Sequence, residues 1–158
     1  MIPFIVTFGG VGRLPKAPGT FGSIAAIPLA YLLHFLGGFP LVAVATLALF
    51  GIGLWASARY LEGKSDDPSE VVIDEVVGMM LTLWPLSWGL WVAGLEPHVF
   101  PWPGWLIGLV LFRFFDIVKP PPVRWFDRPG ALFVMLDDVV AGALSALLVW
   151  IAAMIAHG

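Results

Sequence analysis

Apolar runs of near-membrane length, separated by short segments rich in charge, proline or glycine, constrain this chain more than any other feature. Pro40 to Ala58 carries no charged residue. At about 1.5 Å per helical residue it reaches roughly 28 Å, close to the thickness of a bilayer's hydrocarbon core. Further apolar runs cover Phe21 to Leu36, Val76 to Leu95 (interrupted by Pro85), Gly104 to Val118, and the stretch from Leu136 to Ala156. Composition agrees. Mean hydropathy is +0.94 and charged residues make up 12% of the chain, against roughly 25% in an ordinary soluble domain. So little charge cannot cover a water-facing surface. The expected fold is all-α: one polytopic membrane bundle over residues 1–158, with about five membrane-embedded helices near 22–36, 40–58, 75–95, 104–118 and 138–156.

Lysine and arginine orient that bundle. With five crossings, Arg13, Lys16, Arg59, Lys64, Arg113, Lys119, Arg124 and Arg128 all fall on one side. The other side holds Gly37-Gly38, the Glu96–Pro103 loop and the C-terminus, with no basic residue. The positive-inside rule makes the basic side cytoplasmic. Met1 to Gly10 lacks the basic, apolar and small-residue sequence of a signal peptide, so none is expected. Cysteine is absent, which excludes a disulfide framework and a thiol nucleophile. The net charge of -3 gives no reason to expect nucleic acid.

On this topology three sequence-distant charge sets share one depth. Asp74-Glu75 open the third run, Arg113 and Asp116 close the fourth, and Asp137-Asp138 open the fifth. Acids at helix N-termini complement the macrodipole, worth about 0.3–1 kcal/mol each; that accounts for either pair singly and less well for the set. Arg113 and Asp116, at i and i+3, can also pair with each other. Asp67, Glu70 and Asp74 would line one face if the segment were helical, although Pro68 opposes helix there. Gly78 follows Asp74 by four residues, and Ala141-Gly142 follow Asp137-Asp138 by four. Small residues one turn beyond the acids let helices approach closely.

Clustered carboxylates repel, so a cation should sit among them. An all-oxygen donor set without Cys or neighbouring His suits Mg²⁺, or Mn²⁺, better than Zn²⁺. His34 and His157 read as interfacial or tail residues, His98 lies on the far side, and none is expected to be catalytic. The N-terminal loop offers the complementary chemistry: Arg13, Lys16, Thr20 and Ser23, with the Gly19 and Gly22 amides, could hold an anion at the start of the first helix. An interfacial anchor explains the same residues equally well. Acids, a metal and anion-holding groups at a cytoplasmic membrane surface fit phosphoryl chemistry on a lipid headgroup.

Five motifs then carry a resemblance. Lys16-Ala17-Pro18-Gly19-Thr20-Phe21-Gly22-Ser23, Asp67 through Val71-Val72-Ile73-Asp74-Glu75-Val76-Val77-Gly78, Phe112 through Arg113 and Asp116 to Lys119-Pro120, Arg124-Trp125-Phe126-Asp127, and Leu136-Asp137-Asp138-Val139-Val140-Ala141-Gly142 occur in order over nearly the whole chain. The sequence resembles the phosphatidylglycerophosphatase A family of bacterial inner-membrane lipid phosphatases, departing from it in a glycine-poor stretch at 129–135. The resemblance implies Mg²⁺-dependent removal of the terminal phosphate of phosphatidylglycerophosphate to give phosphatidylglycerol, among membrane lipids and facing the cytoplasm.

Carried onto these positions, Asp74, Glu75, Asp137 and Asp138 are expected as metal ligands and catalytic carboxylates, with Asp67 as an additional ligand. Asp116 is either a further ligand or the base for attacking water, and a phospho-aspartate route stays open. Arg13, Lys16, Thr20, Ser23, Arg113, Lys119 and Arg124 are expected to bind substrate. Two other classes compete. A small proton- or ion-coupled transporter would also place carboxylates in the membrane, though nearer mid-depth. A non-catalytic scaffold would use Gly104-xxx-Gly108 for helix association, and a homo-oligomer is compatible with that spacing.

Overall fold

A computed structural model describes residues 1–62 and 68–157, excluding the His157 side chain. Its elements are α1 (Ile2–Val6), α2 (Pro18–Tyr60), α3 (Ile73–Thr82), α4 (Trp84–Val92), α5 (Trp102–Val118) and α6 (Ala131–His157), with 3-10 turns at Val11–Arg13 and Val123–Trp125. No strand occurs among the described residues. The all-helical class therefore holds.

α2 is not one straight rod. Gly37 (φ -157°, ψ 16°) and Gly38 (φ 63°, ψ -160°) leave helical geometry, and Gly38 takes the left-handed φ that favours glycine. A Cβ at Gly22 would stand 3.0 Å from Val72, and one at Gly53 would stand 3.0 Å from Ile73. Those two contacts fall on adjacent residues, whereas a straight helix would hold positions 22 and 53 roughly 46 Å apart. The two arms therefore run antiparallel, and the turn expected at Gly37-Gly38 is present.

α3 is the central element. Ile73, Asp74, Val76, Val77, Gly78, Met79, Met80 and Thr82 are all buried. One core cluster joins Ala26, Ala30 and Val42 of α2 to Val76, Met79, Met80, Phe112 and Ala141. A second joins Val6, Ala56, Val71, Ile73, Val77 and Met135. Small residues set the closest crossing: a Cβ at Gly78 would lie 2.6 Å from the Asp138 carbonyl oxygen, and one at Gly142 would run into the Gly78 carbonyl. The glycines one turn beyond the two acid pairs meet each other, as their spacing predicts.

The span count is coarser than expected. Two helices are long and apolar enough to cross a membrane, Pro18–Tyr60 (mean hydropathy 2.1) and Ala131–Ala156 (2.4). Only 11% and 22% of their most apolar windows are buried, which separates them from the core helices of a soluble protein. The run at 75–95 is two helices rather than one, divided at Leu83 just before Pro85; proline has no amide hydrogen to continue the ladder to residue 81. The fifth run starts earlier than 138, at Ala131. Gly104 and Gly108 face Leu86 and Thr82, so this pair packs within the chain.

Candidate active site

Asp74 and Glu75 occupy the first turn of α3, at the end of the bundle where α2 begins and ends. Val72 N–H donates to the Val6 carbonyl at 2.9 Å, tying the residues just before the pair to the N-terminal segment. Asp137 and Asp138 do not sit in a first turn, because α6 starts at Ala131 and carries no acid there. The macrodipole thus accounts for the first pair only. The second is held at this depth by the Gly78–Gly142 crossing.

That crossing brings Asp74, Glu75 and Asp138 together. One carboxylate oxygen from each lies within 4.8 Å of the others. Asp74 and Asp138 are 7% and 3% exposed, so water screens the three charges poorly. Coulomb repulsion at such separations is on the order of 3–4 kcal/mol per pair at an effective dielectric near 20. A cation removes that penalty. Glu75 Oε2 is buried with no hydrogen-bond partner among the described residues, whereas Asp74 Oδ1 accepts from the Glu75 amide at 3.0 Å. Three carboxylates, one of them with a partnerless oxygen, fit a hard divalent cation such as Mg²⁺ or Mn²⁺.

The three acids open into a cleft of ≈ 660 Å³, also lined by Ala17, Pro18, Gly19, Arg113, Asp116, Lys119, Asp127, Arg128, Gly130 and Asp137. Arg113 Nη1 and Asp116 Oδ2 pair at 2.5 Å, the local pairing their spacing allows. Arg113 Nε remains buried without a partner. A Cβ at Gly19 would collide with Glu75 Oε1 and lie 3.3 Å from Arg113 Nη1. The two side chains that carry these partnerless atoms, Glu75 and Arg113, therefore approach the same stretch of backbone.

Asp137 is turned differently from Asp138. Its Oδ2 accepts from Lys119 Nζ at 2.6 Å, and Lys119 also donates to Asp127 Oδ1 at 2.8 Å. Burial alone would lower the lysine's pKa, but hydrogen bonds and charge from the two aspartates outweigh it and hold the group above the ordinary lysine value. Lys119 stays charged at any physiological pH. Its backbone is left-handed, at φ 47°, as is that of Ala17, φ 48°, across the cleft. Non-glycine residues held there concentrate at functional sites.

Other sequence-chosen residues lie outside the cleft. Arg13, Lys16 and Arg124 are exposed, and Thr20 is half-buried. Ser23 is buried, and its hydroxyl donates to the Gly19 carbonyl at 2.9 Å within its own helix. Asp67 lies outside the described residues. Helix begins only at Ile73, so Glu70 and Asp74 share no helical face; Glu70 instead accepts from the Tyr60 hydroxyl. His34 is buried inside the protein, with Nδ1 2.8 Å from Ser87 Oγ. Asp127 and Arg128 also line the cleft, though neither was among the expected site residues; both lie in the polar segment after Pro122, and Asp127 closes one of the five motifs.

A family profile for phosphatidylglycerophosphatase A matches residues 4–153. Over 145 residues the chain is 38% identical to phosphatidylglycerophosphatase A of Escherichia coli (strain K12), covering 87% of this chain and 74% of that protein. The Haemophilus influenzae protein of the same name is 32% identical over 147 residues, 89% of this chain and 82% of its own length. A Bacteroides thetaiotaomicron relative, provisionally named a phosphatidylinositol-3-phosphatase, is 35% identical over 158 residues, 96% of this chain and 93% of its own. No solved structure matches the chain. With the profile and its named members spanning most of the sequence, the protein belongs to the phosphatidylglycerophosphatase A family.

Proposed function

We propose that the protein hydrolyses the terminal phosphomonoester of phosphatidylglycerophosphate, releasing inorganic phosphate and leaving phosphatidylglycerol, at the cytoplasmic face of a bacterial inner membrane. The observation that carries this reading is the partnerless Glu75 Oε2 among three carboxylates, in a cleft that Arg113, with its own partnerless Nε, also lines. Asp74, Glu75 and Asp138 would hold a divalent cation, Mg²⁺ or Mn²⁺. Such an ion offsets the charge of the phosphate and lowers the pKa of a bound water. Arg113 draws the phosphate oxygens toward the acids, because its paired Asp116 neutralises only part of the guanidinium fork. Asp116, anchored by Arg113 at 2.5 Å, accepts the proton of the attacking water. Lys119 holds Asp137 out of the ligand group and presents positive charge to the substrate.

A multi-pass arrangement gains support from the antiparallel arms of α2 and from the lipid-compatible exposure of Leu32, Phe35, Val44, Leu47, Trp150 and Ile151. The described basic residues gather at the cleft end, in keeping with a cytoplasmic placement. The gathering of Asp74, Glu75, Asp116, Asp137 and Asp138 at one cleft also disfavours a transporter, which would need its carboxylates along a path through the bundle.

The test is phosphate release from phosphatidylglycerophosphate by purified protein in nonionic detergent. The reading expects release that requires Mg²⁺, stops with chelator, and yields phosphatidylglycerol. Absence of release under these conditions, or release indifferent to chelator, would remove it.

A further inference from the structure

Of the three cations lining the cleft, two are already engaged: Arg113 with Asp116, and Lys119 with Asp127 and Asp137. Arg128 is the third. It is exposed, and no ion pair to it occurs among the described residues. Its guanidinium carbon instead sits 5.8 Å from the centre of the Phe133 ring. Stacking on an aromatic face leaves the fork of N–H donors free along its edge.

The position of Arg128 is built rather than incidental. Its amide donates to the Phe126 carbonyl at 2.8 Å. Its neighbour Asp127 is tied through Lys119 to Asp137 on α6. Phe133, under the guanidinium, lies in the opening turns of α6. The segment is thus fastened on both sides with one guanidinium left over, in a cleft whose other two cations are each paired with an aspartate. A planar donor fork at such a place suits a phosphate that is bound without being cleaved.

We propose that Arg128 is the specificity-determining residue for a second phosphate, the phosphodiester joining the headgroup to the lipid glycerol, while the acid cluster and Arg113 receive the phosphomonoester. This rests on the proposed phosphatase activity and deepens it. The enzyme would recognise lipids that carry a diester next to a monoester, and would discriminate against monoesters alone. A cleft of ≈ 660 Å³ is within the range of sites that enclose a whole small ligand.

Calorimetric binding to Arg128→Ala and Arg128→Gln, purified in nonionic micelles free of other phospholipid, tests the assignment. The probes are short-chain phosphatidylglycerol, which has the diester alone, and inorganic phosphate, which stands for the monoester. Loss of a charge-assisted contact predicts that the Kd for phosphatidylglycerol rises about tenfold or more while that for phosphate stays within about twofold. Arg128→Lys should restore part of the difference. An equal rise for both probes, as misfolding or a monoester contact would give, overturns the proposal. So does no change for either, which is the outcome if Arg128 only anchors to bilayer headgroups. Since the readout is binding, a wild-type protein that binds both probes but releases no phosphate would sink the activity and leave the diester contact standing.

Discussion

The two ends of the bundle handle buried polar groups in opposite ways. At the far end His34 Nδ1 and Ser87 Oγ lie 2.8 Å apart, and Phe100 packs 5.6 Å from the histidine ring. Closer to the middle, Trp84 Nε1 donates to Thr46 Oγ1 at 3.1 Å, and Phe39 packs edge-on against Trp84 and Trp88. There, polar atoms find partners and aromatic rings seal them. At the cleft end three carboxylates crowd together, and Glu75 Oε2 and Arg113 Nε go without partners. Satisfied pairs hold a structure together; unsatisfied ones cost stability and are kept where a ligand completes them.

Substitutions at the two ends should therefore separate activity from stability. The largest effect is expected for Asp74→Asn and Asp138→Asn, each lowering kcat by about 10³-fold or more, ~4 kcal/mol of transition-state stabilisation. Thermal melting of both should stay close to wild type, because each relieves repulsion. A steady-state assay with a parallel melt checks this, and near-normal turnover by either variant would break the contrast. Next comes Gly142→Val, whose side chain meets the Gly78 backbone. Overpacking of this kind costs about 1–3 kcal/mol, and separating the helices should also weaken divalent-cation binding, measured by titration.

These two cases show what the sequence could reveal. The acid pairs, the small residues one turn on, the Gly37-Gly38 turn and the Arg113–Asp116 pair all follow from local spacing, and local spacing is what a sequence displays. Which of Asp137 and Asp138 faces the other acids is different. Consecutive helical side chains point about 100° apart, so packing against α3 and Lys119 decides which one turns inward. The division at Leu83 was equally hidden, since a proline at 85 is compatible with a kinked helix or with two. Arg128 gave no periodic signal because it lies in a loop, and the use of the Ser23 hydroxyl by its own helix leaves no trace in composition.

Smaller effects sharpen the comparison. Lys119→Met leaves the 7%-exposed Asp137 without its cation, which should cost about 1–3 kcal/mol in a denaturation or melting experiment. It should also raise KM more than it lowers kcat. Ser87→Ala is the mildest, costing about 1 kcal/mol of stability through the lost histidine partner while kcat/KM stays at the wild-type value. A loss of turnover in Ser87→Ala comparable to that in Asp138→Asn would show that the two ends are not functionally distinct.

The central claim is that Asp74, Glu75 and Asp138 together hold a divalent cation. Electron paramagnetic resonance of Mn²⁺ titrated into the purified wild-type protein, Glu75→Gln and Asp138→Asn tests it without reference to turnover. Binding by the wild type is expected to be saturable, displaced by Mg²⁺ and weakened about tenfold or more in each variant. Binding of equal strength in all three proteins would contradict the claim.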